Sequence, residues 1–248
     1  MRDILVIAIV AAGVIAALRQ PWVGVMLWSW VSIMNPHRYT WGFAYEAPAA
    51  AVAAGVCMLG LVYARDKASP FKGPPMVWLA LFVAWITISW LMGLDPSGDY
   101  EQWKKVMKIL LMVFVGMALL HSKQHIFALA WVVTGSLALI GLKGGLFTIL
   151  TGGNHHVWGP PGSFIEESNA LALATVMTIP LLRFLQLQLA PGWRRHLMTA
   201  AMVLCGASAL GSQSRGALLA LGAMLLLLWW RGRSRFVGGL CIVAVSLV

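Results

Sequence analysis

The chain has 248 residues, of which 60% are hydrophobic and only 10% are charged, and its mean hydropathy is +0.82. A soluble domain carries about 25% charged residues, so this composition excludes a soluble globular protein and predicts a polytopic membrane protein. The net charge of +10 does not indicate nucleic-acid binding, because most basic residues fall in short loops between apolar runs, as the positive-inside rule predicts.

Apolar runs follow one another along the whole chain and predict about ten helices in an all-α bundle. Proline- and glycine-containing breaks separate the runs. The first two runs are short and are compatible with a re-entrant pair. We therefore predict one transmembrane helical domain over residues 1–248, built from Ile4–Leu18, Trp22–Met34, Ala47–Ala64, Met76–Leu94, Trp103–Leu120, Ile126–Leu150, Ala170–Leu189, Leu197–Leu210, Ala217–Trp230 and Phe236–Val248.

The distribution of lysine and arginine predicts which loops face the cytoplasm. Alternate loops hold nine of the 18 basic residues, namely Arg65, Lys67, Lys72, Lys123, Arg194, Arg195, Arg231, Arg233 and Arg235. The intervening loops hold the acidic residues Glu46, Asp95, Asp99, Glu101, Glu166 and Glu167 and should face outward. Because successive loops alternate between the two sides of the membrane, this assignment places the N-terminus outside. The sequence stops within an apolar run, so we expect it to be the N-terminal part of a longer protein.

Six cations lie on the predicted outer side or in the outer half of the membrane, contrary to the positive-inside rule. They are Arg38, Lys104, Lys105, Lys108, Lys143 and Arg215. Intramembrane cations are costly without a partner, so they predict an anionic partner delivered from the outer leaflet.

Arg215 is the strongest of these candidates. It lies in Gly211-Ser-Gln-Ser-Arg-Gly216, between two apolar runs. One helix over both runs would be about 50 Å long, against a hydrocarbon core of about 30 Å, so we predict a helical hairpin with Arg215 at the turn. Gly211 and Gly216 should let the backbone turn tightly. A guanidinium suits the phosphates of a lipid-linked substrate, whereas the alternative is an arginine that reaches lipid headgroups.

The other cations have two interpretations each. Lys143 lies between glycines that allow close packing or a helix break, and either binds substrate or snorkels. Lys104 and Lys108 share a helix face and either form ion pairs with the nearby acidic loop or hold the phosphates of a glycolipid acceptor. Polar neighbours complete the set of candidate substrate-binding residues: Gln213, Ser214 and Asn169.

The longest outer loop runs from residue 151 to 168 and includes His155 and His156. Adjacent histidines lack the spacing of a zinc site, so we expect no metal. Glu166 or Glu167 is a candidate general base or a surface carboxylate, and Asn169 is a candidate cap for the helix that follows.

No nucleotide-binding motif is present, and we expect no cofactor. The cysteines should be buried thiols without metal spacing or a disulfide framework: Cys57, Cys205 and Cys241.

Three segments together resemble the O-antigen ligase family, and more closely the O-glycosylation ligases associated with exosortase systems. The segments are Asn35-Pro-His-Arg38 with Trp41-Gly-Phe-Ala-Tyr45, Gly162-Ser-Phe-Ile-Glu-Glu-Ser-Asn169-Ala-Leu-Ala, and Ser212-Gln-Ser-Arg-Gly-Ala217. The resemblance implies a GT-C-like fold of about a dozen spans in the bacterial inner membrane. It also implies an inverting, metal-independent transfer of glycan from undecaprenyl pyrophosphate to lipid A–core on the periplasmic side, in lipopolysaccharide biosynthesis.

The resemblance places the family's motif arginine at Arg215, where it would bind the donor pyrophosphate. The family's essential histidine has no match after Arg215, so we expect the general base outside this sequence. O-antigen polymerases and protein O-oligosaccharyltransferases belong to the same superfamily and remain alternatives. A transporter or flippase of an anionic lipid-linked glycan is an alternative of another class, although such a protein favours ionisable residues near the membrane midplane.

Overall fold

The computed structural model describes residues 2–64, 69 and 73–231. Within these ranges the chain is all-helical, with no β-strand. A short 3-10 helix spans Pro36–Tyr39. The α-helices are α1 (Arg2–Arg19), α2 (Pro21–Met34), α3 (Ala49–Tyr63), α4 (Pro74–Leu91), α5 (Tyr100–Leu119), α6 (Lys123–Leu150), α7 (Ser168–Leu187), α8 (Trp193–Gly211) and α9 (Arg215–Arg231).

The predicted all-α fold is confirmed, and each of the first nine apolar runs corresponds to one helix. The helices extend beyond several runs into polar residues, since α1 and α8 both take in flanking arginines. The last predicted run, Phe236–Val248, lies outside the described residues, together with Arg65, Lys67, Lys72, Arg233, Arg235 and Cys241.

Two helices in the described part of the chain, α6 and α7, are long and apolar enough to cross a membrane. The 28 residues of α6 correspond to about 42 Å, more than the hydrocarbon core requires. Shorter apolar helices accompany them, namely α2, α3, α4 and α9.

The chain divides into two compact units. Unit 1 comprises residues 1–31 and 39–129, and its helices alternate in direction. At one end, a cavity of about 220 Å³ is lined by the α1–α2 junction, Ala64 after α3, and His121 and His125 around the start of α6. At the other end, the Asp3 carboxylate accepts hydrogen bonds from the backbone N–H groups of Gly42 and Ala44. The α1–α2 junction therefore lies at one end of unit 1 and the loop after α2 lies at the other, in agreement with the loop alternation predicted from charge.

Unit 2 comprises residues 32–38 and 130–248, and its described core is built on small residues between α6 and α8. A Cβ at Gly145 would lie 2.1 Å from the Leu204 carbonyl oxygen, and one at Gly144 would lie 2.3 Å from Ser208 Oγ. The two helix backbones therefore touch, which is a packing mode common between membrane helices. The predicted close packing around Lys143 is confirmed, and α6 continues through these glycines without a break.

A buried glutamine joins α7 to α8. The side chain of Gln186 is 3% exposed, and its Nε2 donates to the Arg195 carbonyl oxygen and to Thr199 Oγ1, both at 2.7 Å. Its Oε1 accepts a hydrogen bond from Arg183 Nη1. Buried amides are stable only when their donors and acceptors are satisfied, so this network fixes how α8 begins against α7.

Candidate functional site

Three segments of unit 2 meet at one end of its helices: residues 35–38, the loop of residues 151–167 between α6 and α7, and the turn of residues 212–214 between α8 and α9. We call the second segment the outer loop. Each of the three overlaps one of the segments that carry the resemblance. Their contacts with one another define the candidate site.

The turn before α9 confirms the predicted hairpin, because α8 ends at Gly211 and α9 begins at Arg215. Ser214 caps α9, since its Oγ accepts a hydrogen bond from the Ala217 backbone N–H at 3.3 Å. The Ser212 side chain is buried, donates to the Ala209 carbonyl oxygen at 2.6 Å and accepts from the Ser214 N–H at 3.3 Å. The two serines of the motif therefore build the turn.

The expected role of the two glycines in the turn is wrong. Gln213 adopts the left-handed conformation, with φ +52°, while neither glycine has a positive φ. Gly211 is needed for a different reason, because a Cβ there would lie 2.0 Å from Thr148 Oγ1 on α6. Gly216 has no such close neighbour. The turn is tight because a glutamine takes the conformation that glycine usually supplies.

Arg215 is exposed and is the first residue of α9. Its guanidinium makes no hydrogen bond or ion pair with the described part of the chain. The positive end of the helix dipole opposes a cation at this position. An anion bound here would interact favourably with both the guanidinium and the helix N-terminus.

The outer loop holds the turn from one side. The Val157 N–H donates to the Gly211 carbonyl oxygen at 3.1 Å, and Gln213 Nε2 donates to the Gly153 carbonyl oxygen at 3.1 Å. His156 Nδ1 lies 3.2 Å from the Ser212 carbonyl oxygen. Because a carbonyl only accepts, this contact requires a proton on Nδ1.

The outer loop also binds the segment that follows α2. Asn35 Nδ2 donates to the Pro161 carbonyl oxygen at 2.9 Å, and Asn35 itself has a φ of +45°. A Cβ at Gly162 would lie 3.7 Å from Arg38 Nε, so the half-buried Arg38 lies against this loop. The Glu166 carboxylate accepts the Gly162 N–H at 2.8 Å. In this structure Glu166 therefore shapes the loop.

His37, within the segment that follows α2, is buried, with 8% of its surface exposed. Burial lowers the pKa of His37 below its usual value, and the neighbouring Arg38 cation lowers it further. The imidazole is therefore neutral at physiological pH, and Arg38 supplies the positive charge of this segment.

The remaining candidates lie apart from these contacts. Lys143 is exposed on α6, about 10 Å of helix before the outer loop. Asn169 does not cap α7, which corrects the prediction, because the helix begins one residue earlier and Glu167 takes the cap position without a side-chain bond. Asn169 is instead exposed in the first turn of α7.

Lys104 and Lys108 belong to unit 1, where they line an apolar groove of about 430 Å³ between α4 and α5. Lys104 Nζ lies 3.4 Å from Glu101 Oε1 and 5.5 Å from the centre of the Tyr100 ring. The predicted ion-pair interpretation therefore holds for Lys104. Lys108 is exposed one turn further along α5.

His156 is the residue whose position the sequence did not reveal. The spacing of the two adjacent histidines indicates no contact with the turn before α9, and the described residues contain no group of three or more metal-binding side chains. His155 instead lies beside the Phe147 ring, at 6.3 Å between ring centres. The contact of His156 with Ser212 spans 56 residues, and no local pattern announces it. Cys57 and Cys205 are buried and free, as expected.

Residues 1–189 match a family described as a family of unknown function, DUF5935, and the chain therefore belongs to that family. The match includes the Asn35–Arg38 segment and the outer loop, whereas the turn with Arg215 lies beyond it. No curated protein and no solved structure matches the chain.

Proposed function

We propose that this member of the DUF5935 family is a polytopic membrane glycosyltransferase of the O-antigen ligase type. It would transfer a glycan from undecaprenyl pyrophosphate to lipid A–core at the periplasmic face of the inner membrane. One observation carries the proposal: the outer loop contacts both the Arg38 segment and the turn before Arg215, whose guanidinium has no partner among the described residues.

The donor role of Arg215 follows from its surroundings. A pyrophosphate brings several negative oxygens, and a planar guanidinium binds such groups through two parallel hydrogen bonds. Arg215 is exposed and has no described partner, so a ligand would not have to break an ion pair. The N-terminus of α9 adds a positive partial charge at the same place.

Arg38 and Lys143 are the supporting cations in this proposal. Arg38 is held against the outer loop near Gly162. Lys143 is exposed on the last turns of α6 before that loop, where a flexible ammonium group can follow a lipid phosphate. Gln213 and Ser214 already form structural hydrogen bonds, so we expect them to shape the turn as well as border the donor.

The acceptor is proposed to meet Lys108 of unit 1, beside the ion-paired Lys104. The groove beside them is lined by aliphatic and aromatic side chains, including Trp103 and Phe114, and suits an acyl chain. Lys108 lies at the edge of this apolar surface, where its cation would attract the phosphate of an acidic glycolipid.

Transfer would break the bond between the anomeric carbon and the pyrophosphate oxygen while the acceptor hydroxyl attacks from the opposite face. The leaving pyrophosphate takes the bonding electrons, and Arg215 stabilises the charge that develops on it. The acceptor proton passes to a general base.

The test is ligation in a ligase-deficient strain that expresses the full-length protein. Arg215→Ala should lower the amount of glycan-bearing lipopolysaccharide on a gel by about 100-fold or more, with normal protein in the membrane. Arg215→Lys should also be impaired, because an ammonium cannot replace the two parallel bonds.

Arg194→Ala is the matched control. Arg194 is an exposed arginine at the opposite end of α8, beside the Trp193 ring, and its loss should leave ligation unchanged. Near-normal ligated lipopolysaccharide in the Arg215→Ala strain would reject the proposed donor site.

A further inference from the structure

A short loop of unit 1 presents aromatic rings around an open hollow. Every residue from 40 to 46 except Ala44 lines a cavity of about 420 Å³, and the ring-bearing members are Trp41, Phe43 and Tyr45. Trp41 is 89% exposed and Phe43 is 72% exposed. The exposed Glu46 carboxylate borders the same hollow.

The backbone under these rings is fixed. Asp3 Oδ1 accepts the Gly42 N–H at 3.0 Å and the Ala44 N–H at 3.3 Å. Ala44 is fully buried, and two successive turns close through the N–H groups of Tyr45 and Ala47. A Cβ at Gly42 would lie 2.8 Å from the Asp3 carboxylate, so only glycine fits there without a shift. The aromatic rings thus project from an anchored support, which limits the entropy lost when a ligand binds.

We propose that this hollow binds a pyranose ring of the transferred glycan, which deepens the proposed function and rests on it. A sugar ring offers a patch of C–H groups that packs on an aromatic face and hydroxyls that donate to a carboxylate. Trp41 and Phe43 supply exposed aromatic faces, and Glu46 supplies the acceptor at the rim.

A purely lipid-facing role explains these residues less well. An interfacial aromatic belt requires only that the rings lie at headgroup depth, and it does not require them to border a hollow. Here the rings border a concave hollow, a carboxylate lies among them, and a separate helix fixes the loop through Asp3.

The experiment is saturation-transfer NMR with the full chain in lipid nanodiscs. The probes are the methyl glycosides of glucose, galactose and N-acetylglucosamine, with choline as a cationic probe. At least one glycoside should receive magnetisation, mainly on the protons of one ring face. Trp41→Ala should weaken its binding by about tenfold, as expected for the loss of one stacking contact.

Trp193→Ala is the control, because Trp193 is also exposed but starts α8 in unit 2. It should bind as the wild type does. Asp3→Ala should weaken binding because the loop loses its anchor, whereas Asp3→Asn should retain most of it because the amide oxygen still accepts both N–H groups.

Absence of transfer to every glycoside would overturn the inference, as would equal binding by Trp41→Ala or binding of choline alone. The assay needs neither donor lipid nor catalysis. Arg215→Ala should therefore bind the glycosides normally while losing ligation, so failure here is distinguishable from failure of the proposed function.

Discussion

Arg215 occupies the position in α9 where the helix dipole least favours a cation. Three other arginines of unit 2 have local contacts: Arg194 lies beside an aromatic ring, and Arg183 and Arg195 bond to the Gln186 side chain or backbone. Arg215 has neither kind of contact. The proposed anionic ligand would neutralise the guanidinium and interact favourably with the helix N-terminus.

His156 gives a prediction at the same scale. We expect it to act as a positioning residue, because its Nδ1–H holds the Ser212 carbonyl in the turn that carries Arg215. His156→Ala should lower ligation about three- to tenfold, in line with the loss of one hydrogen bond. His156→Asn should restore activity, because an asparagine Nδ2 can replace the Nδ1 donor.

His155→Ala is the matched control, since His155 contacts the Phe147 ring rather than the turn, and it should ligate normally. If His156→Asn is as inactive as His156→Ala while His155→Ala is normal, the imidazole itself is required and the positioning role is rejected.

At the scale of elements, the pairing of α6 with α8 supports the candidate site. The outer loop leaves the end of α6, and the Arg215 turn leaves the end of α8. Gly144 and Gly145 bring the two backbones together, and Gly211 continues the same contact to Thr148 near the end of α6. A change in this packing should therefore move both segments.

Gly145→Ala tests the packing. Its Cβ would collide with the Leu204 carbonyl oxygen, so we expect a loss of about 1–3 kcal/mol in the free energy of unfolding. Gly135→Ala on the same helix meets no atom within 4 Å and should stabilise the protein by about 0.5–1 kcal/mol. Thermal unfolding in one detergent measures both variants, and equal melting temperatures for the two would contradict the close approach.

At the scale of the whole molecule, the sequence predicted helices, breaks and loop alternation because apolar runs and Pro/Gly breaks are local signals. The hairpin at Arg215 was predictable because the two apolar runs around it are together too long for one membrane-spanning helix. The role of Gly211 and the cap of α7 were missed for different reasons. A glycine is required at position 211 because Thr148, which is distant in sequence, lies against it. The cap of α7 is set by the residue at which the preceding loop ends. The partner of His156 was equally non-local.

The proposed orientation gives a further prediction. In a variant whose three native cysteines are replaced, a cysteine at His155 should react with a membrane-impermeant maleimide in cells with a permeabilised outer membrane. A cysteine at Arg194 should react only after the inner membrane is also disrupted. These positions lie at opposite ends of unit 2, and the reverse labelling pattern would invert the proposed topology.

The central claim is that Arg215 holds the pyrophosphate of a lipid-linked glycan donor. Its most direct test is glycan transfer by purified full-length protein from a defined undecaprenyl-pyrophosphate donor to lipid A–core. The wild type and Arg194→Ala should transfer glycan at equal rates, and Arg215→Ala should be slower by about 100-fold or more. Equal rates for Arg215→Ala and the wild type would contradict the claim, and absence of transfer by the wild type would reject the proposed reaction.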